Sequence, residues 1–316
     1  MPSSLDHTVR GKFRYLLDAS YRYFPFAELP VELVLRILTY ATACSQGTYR
    51  SLLLTNKSIA DLIRSEEMLS GVSVTLVSEE QFNAFESYLQ GRPEVIPQIR
   101  ALWTICPGSI RKIQRVCASI INTCTSIRSL ACHPNILLES ICREPSFKHT
   151  QCVELTLIEF RVTWSTLMNS SRNGSTFFHQ IQRLHFIGAL DHSLWVTWAV
   201  IPKLNNLTRV SIAMGSHKDI TRPLFAEMLK SPKLKQVVIT TRLHGEEQQN
   251  LSDTVQEFDH RFSVIHRRRR WKECNLWHEG LQDPERFWSQ AKAEKDLPPP
   301  PRPDSKAEKE HPTVNA

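Results

Sequence analysis

Pro202-Lys-Leu-Asn-Asn-Leu-Thr-Arg-Val-Ser-Ile212 is the stretch that decides the fold of this chain. Leu207, Val210 and Ile212 are apolar, while Arg209 and Ser211 on either side of Val210 are polar. That alternation is the period-2 signature of a strand with one buried side. Pro232-Lys-Leu-Lys-Gln-Val-Val-Ile239 restates it, with Leu234, Val237 and Ile239 at the same spacing. Four earlier cores match: Ile99-Leu102-Thr104, Ile127-Leu130-Cys132, Cys152-Leu155-Leu157 and Ile181-Leu184-Phe186. With Val74 added at the front, the central residues Val74, Leu102, Leu130, Leu155, Leu184, Val210 and Val237 stand 28, 28, 25, 29, 26 and 27 residues apart. A near-constant period of this size marks one supersecondary unit used repeatedly.

Segments with helical spacing lie between the cores. Ile110, Ile113, Cys117, Ile120 and Ile121 share one face of a helix. Glu79–Leu89, Asp191–Val200 and Pro223–Leu229 carry similar patterns, and 164–180 is the weakest of the set, with a loop expected around Ser170–Ser175. One strand and one helix per roughly 27 residues, from 70 to 266, resembles a leucine-rich-repeat solenoid. The resemblance implies strands along one face and helices along the other, because a single unit is too small to bury its own apolar side. The family's asparagine is present only as Asn135; the equivalent positions are Pro107, Phe160, Ala189, Gly215 and Arg242, which argues against an asparagine ladder. The competing reading is an ordinary α/β domain with parallel strands.

The amino-terminal part reads differently. Phe26-Ala-Glu-Leu-Pro-Val-Glu-Leu-Val-Leu-Arg-Ile-Leu-Thr-Tyr40 pairs a helix start at Pro30 with apolar residues at helical spacing. A second short unit follows at 52–63, with Leu54, Ile59, Leu62 and Ile63 apolar. Some forty residues cannot bury that much apolar surface by themselves, so the module needs a partner. Leu29-Pro30, Glu32-Leu33, Ile37-Leu38 and the run Leu52-Leu-Leu-Thr-Asn-Lys-Ser-Ile59 resemble an F-box, which docks proteins onto the adaptor subunit of cullin–RING ubiquitin ligases. The resemblance implies an adaptor-facing set of Leu29, Pro30, Leu33, Ile37, Leu38 and Ile59, with Ile59 where the family usually has an aromatic residue. The alternative is a helical hairpin belonging to the domain that follows.

The expected organisation is therefore an N-terminal extension at 1–25, an all-α F-box-like module at 26–66, an α/β solenoid at 70–266, a basic segment with a capping helix at 267–291, and a disordered Pro-rich tail at 292–316. Trp277, Leu281, Phe287 and Trp288 are read as the apolar side of that cap, since the end of a repeat stack must be covered. The polar start Met1-Pro-Ser-Ser-Leu-Asp-His gives no secretory signal, and Leu194–Ile201 is far too short to span a membrane. A cytoplasmic or nuclear location is expected. Eight scattered cysteines without a C-x-x-C pair read as free buried thiols. His133 beside Cys132, and His185, lack neighbours at ligand spacing, so no metal site is expected.

Catalytic arrangements are missing too. The chain has none of the G-x-S-x-G, P-loop, H-E-x-x-H or G-x-G-x-x-G patterns, and only ten glycines in 316 residues. No catalytic residue and no cofactor is assigned. A docking module followed by a repeat surface is the layout of a substrate receptor: the F-box end holds the ligase adaptor and the repeats select a target protein. The repeat register puts Trp103, Ile105, His133, Glu154, Ile158, Arg183, His185, Ile187, Arg209 and Gln236 on the outward side of the strands. Trp103, Ile105, His133, Ile158, Arg183, His185 and Arg209 are accordingly taken as target-binding residues; the alternative is that a terminal segment covers Trp103 and the isoleucines. The other readings are a repeat scaffold without ligase function and a nucleic-acid binder acting through Arg267–Lys272. That basic run is otherwise a solvated segment or an import signal, and it lacks the second basic patch of an extended phosphate track.

Overall fold

The computed structural model describes most of residues 72–266, apart from 106–110, 144–147, 160–163, 170–171, 188–200, 215–221, 242 and 244–245, together with scattered positions in 29–64 and 274–289. The extension at 1–25, the Arg267–Lys272 run, the tail at 292–316 and the helix expected over 191–200 lie outside the described residues.

The fold is α/β, built on a single eight-stranded parallel sheet whose strand order follows chain order. The strands are β1 (Val72–Leu76), β2 (Ile99–Thr104), β3 (Ser129–Cys132), β4 (Glu154–Ile158), β5 (Arg183–Ile187), β6 (Arg209–Met214), β7 (Gln236–Thr241) and β8 (Phe262–His266). The described helices are α1 (Lys57–Arg64) before the sheet, then α2 (Glu79–Gly91), α3 (Arg111–Thr123), α4 (Pro134–Arg143), α5 (Trp164–Asn169), α6 (Arg172–Gln180), α7 (Arg222–Leu229) and α8 (Glu246–Phe258). The run 164–180, expected to be weak, supplies two helices, α5 and α6.

Register follows the sequence pattern. Val74 pairs with Leu102, Leu102 with Leu130, Leu130 with Leu155, Leu155 with Leu184, Leu184 with Val210 and Val210 with Val237. Phe262 of β8 extends this row beside Val237. A one-residue slip in any strand would turn its apolar set to the other face, so burial fixes the register. The row belongs to one continuous core on the helix side, which also takes in Phe82 of α2, Ile113 and Cys117 of α3, Ile136 and Leu137 of α4, and Phe225 of α7. Phe225 lies 4.6 Å, ring to ring, from Phe262 and packs edge-on against Phe258, so the last unit is closed by aromatic contacts.

Local signals set the helix ends. Ser78 caps α2, its Oγ accepting the Gln81 N–H at 3.3 Å, while Gln81 Oε1 accepts the Val77 N–H at 2.8 Å. Arg261 works at the far end of the sheet: its guanidinium donates to the Asp259 carboxylate and to the carbonyls of Leu229, Ser231 and Leu234. The Leu229 carbonyl is the last of α7 and would otherwise be an orphan.

Candidate interaction surface

The side chains between the core positions point to the other face of the sheet. Along it runs the row Thr75, Trp103, Ala131, Thr156, His185, Ser211, Val238 and Ser263. Beside it Ala101, Ser129, Glu154, Arg183, Arg209 and Gln236 form a second row. The sequence register therefore selects the correct side for every outward residue named from a strand. The expectation that these residues are open to solvent is corrected by the structure. The described residues of 274–289 lie across this face as a strap.

Trp277 is the first anchor. Its ring sits 5.4 Å from that of Trp103, and Ala101, Ala131 and Ile158 complete a buried cluster against which Ile105, Ile187, Cys274 and Leu281 pack. The small residues Ala101 and Ala131 flanking Trp103 leave room for a second indole. Trp277 Nε1–H donates to Ser129 Oγ at 3.0 Å, which satisfies the one polar atom the ring carries into the cluster. Trp103 and Ile158 are consequently buried, and Ile105 is half-buried.

Charge fills the middle. Glu285 accepts from Arg209 Nη1 and Nη2, each at 2.6 Å, and lies 3.9 Å from Arg183 Nη1. Arg183 Nε and His185 Nε2 stand 3.3 and 3.4 Å from the two oxygens of Glu154. Neither nitrogen makes a hydrogen bond there, so the Arg183–Glu154 contact is electrostatic. The Arg209 hydrogen bonds and charge hold the Glu285 carboxyl below its ordinary range.

Trp288 is the second anchor. It packs with Val238, Ile265 and Phe287, lies under the Arg209 guanidinium at 5.5 Å, and its carbonyl accepts from Gln236 Nε2 at 2.9 Å. His185 is tilted against both Phe287 and Trp288. Beside this anchor a cleft of about 470 Å³ opens between the starts of β6–β8 and the strap, lined among others by Lys235, Ser263, Glu285 and Trp288. His133 stands apart, 3.4 Å from Glu159.

The capping role expected for Trp277, Leu281, Phe287 and Trp288 is thus corrected: their aromatic surface matches apolar sockets along the strand face, and the strap covers that face rather than the end of the sheet. The residues missed from sequence are Ser129, Val238, Ile265 and Glu285. The available signal was the pair of small residues flanking Trp103, Ala101 and Ala131, which leave space for one more indole.

In the amino-terminal module, the Pro30 carbonyl accepts from the N–H groups of Leu33 and Val34, so the helix begins there. Leu33 is 46 % exposed, Ile37 43 % and Leu54 86 %, while Pro30 is open and Leu29 and Ile59 are half-buried. Leu38, named with the adaptor-facing set, is 2 % exposed, a correction that follows from its place on the inner side of the helix one residue after Ile37.

No group of three or more potential ligands is positioned for a metal ion among the described residues. Cys117, Cys124, Cys132 and Cys152 are buried free thiols, whereas Cys142 is exposed against expectation. Burial pushes the Cys124 thiol up to about 12 and Cys132 and Cys152 higher still, which leaves them without nucleophilic thiolate. Among the described residues no helix is long and apolar enough to cross a membrane. Compared with protein-family models and with curated proteins, the chain matches none.

Proposed function

We propose that this chain is a substrate-recognition subunit of an SCF-type ubiquitin ligase: an F-box-like module docks to the adaptor, and a leucine-rich-repeat-like solenoid presents its strand face to a target protein. The receptor does no chemistry itself and takes no cofactor; it raises the local concentration of target beside the conjugating enzyme. The observation that carries the reading is the exposure of Leu33, Ile37 and Leu54 in a short helical module placed ahead of a long strand face. Leu33 and Ile37, four residues apart on one helix, are open together, and a large apolar pair left open marks a protein contact. The in-register row from Val74 to Val237 supports the solenoid half, because stacked units bury one shared core on the helix side and keep the opposite strand face, here lined by the strap, out of it. The Arg267–Arg270 run fits import to the nucleus, which a change of all four to Gln would test by imaging. Co-expression of the full chain with the adaptor tests the main reading. A complex that survives gel filtration supports it; two separate proteins at micromolar concentration would leave a repeat scaffold without ligase function.

A further inference from the structure

Three contacts hold the strap, and their chemistry differs along its length. Trp277 enters the socket formed by Trp103, Ala101 and Ala131; Glu285 meets Arg209 and Arg183; Trp288 covers Val238 and Ile265. Residues 274, 277, 280 and 281 are helical, so Cys274, Trp277 and Leu281 form an i, i+3, i+7 stripe laid on the sheet. That is how an amphipathic helix occupies a groove.

Two features separate the strap from the main core. Its apolar contacts form two small clusters on the strand face, neither of them part of the continuous core under the helices. Its central bond is open to water: the Glu285 side chain is 61 % exposed, so the clamp is screened and weak. The helix-side core is thus built without strap contacts.

We propose that this strand face is a groove for a segment of another protein with the strap's own chemistry: an aromatic side chain on a short helix, a carboxylate eight residues later in the turn that follows, and a second aromatic three residues beyond it, as in Trp277, Glu285 and Trp288. The strap's described residues, Trp277, Glu285 and Trp288 among them, occupy the groove in its absence. The cleft beside Trp288, with exposed Lys235 on its rim, gives the incoming segment room for a larger or more acidic end. The inference rests on the receptor reading for the identity of the partner as a target, and on the sockets alone for its chemistry.

The test uses the full chain and a fluorescent synthetic peptide with the sequence of residues 271–290. Wild type is compared with an opened chain carrying Trp277→Ala, Glu285→Arg and Trp288→Ala. The expected result is about tenfold or more tighter binding to the opened chain, a difference of about one aromatic anchor. Adding Arg209→Glu to the opened chain should remove the gain. Equal binding to both chains, or equal binding of a scrambled peptide, overturns the proposal. So does loss of the folded state in the opened chain, because a strap the fold cannot spare is not displaceable. Adaptor binding is scored on the same opened chain. If it fails while peptide binding persists, the receptor reading falls and the groove stands; if it persists without peptide binding, the groove alone falls.

Discussion

Glu285 receives both terminal nitrogens of Arg209, each at 2.6 Å, across 76 residues of sequence. The pair joins the strap to β6 in the fork geometry that suits guanidinium and carboxylate best. Because Glu285 is largely exposed, Glu285→Gln is expected to cost only about 0.5–1 kcal/mol. The sign with pH follows from the depressed carboxyl: the contribution is present above the unfolded value and is lost as pH falls through the folded one. Urea melts of wild type and variant should therefore differ at neutral pH and low salt, and converge in strong acid or in molar salt.

Trp277 should matter more. It is buried, and removing a buried indole costs about 3–5 kcal/mol. Trp277→Ala is expected to fall in that range and to expose Trp103, read as a red shift in tryptophan fluorescence. Trp277→Phe keeps most of the packing but loses the donor to Ser129, a smaller cost of about 1 kcal/mol. Equal destabilisation by Ala and Phe would mean that the ring's packing on Trp103 contributes nothing.

His149 supplies a pH-dependent term on the helix side. It is buried, its carbonyl accepts from Gln180 Nε2, and burial lowers its imidazole to about 4. The unfolded chain binds the proton near the ordinary value of 6.5 and the folded chain does not, so stability falls as pH drops below about 6.5 and stops falling near 4. From pH 7.5 to 5 this one group should remove about 2 kcal/mol. Replacement of His149 by Gln should flatten that slope; an unchanged slope would place the acid sensitivity elsewhere.

The strand register was legible in the sequence because the core imposes it. Every central residue from Val74 to Val237 had to face the helices, and their neighbours had to alternate. β8 was harder to see as a core. Where β2 to β7 have an apolar residue three positions before the centre, β8 has Asp259, whose carboxylate is held by Arg261. The outward face was assigned to the right side for the same periodic reason. A terminal segment over Trp103 and the isoleucines was legible only as an alternative, since alternation says which way a side chain points and not which distant segment arrives there, as Trp277 does at Ser129. The two tryptophans of the strap carried the signal, but their aromatic surface fits the end of a repeat stack as well as its face.

The amino-terminal residues give the most direct check on function. Leu33 and Ile37 are exposed and should be replaceable without loss of the sheet, unlike Leu38, which is buried. Ile59, half-buried where an aromatic is usual in the family it resembles, should give an adaptor affinity below that of a typical F-box. Leu38→Asp is expected to destabilise the module, and Leu33→Asp to leave its thermal melt within about 1 kcal/mol of wild type.

Native mass spectrometry of the full chain co-expressed with the adaptor, alongside the Leu33→Asp/Ile37→Asp double variant, tests the central claim most directly. The account predicts a one-to-one complex for wild type and free, folded chain for the double variant. An uncomplexed wild type would contradict it, as would a double variant that binds the adaptor as well as wild type does.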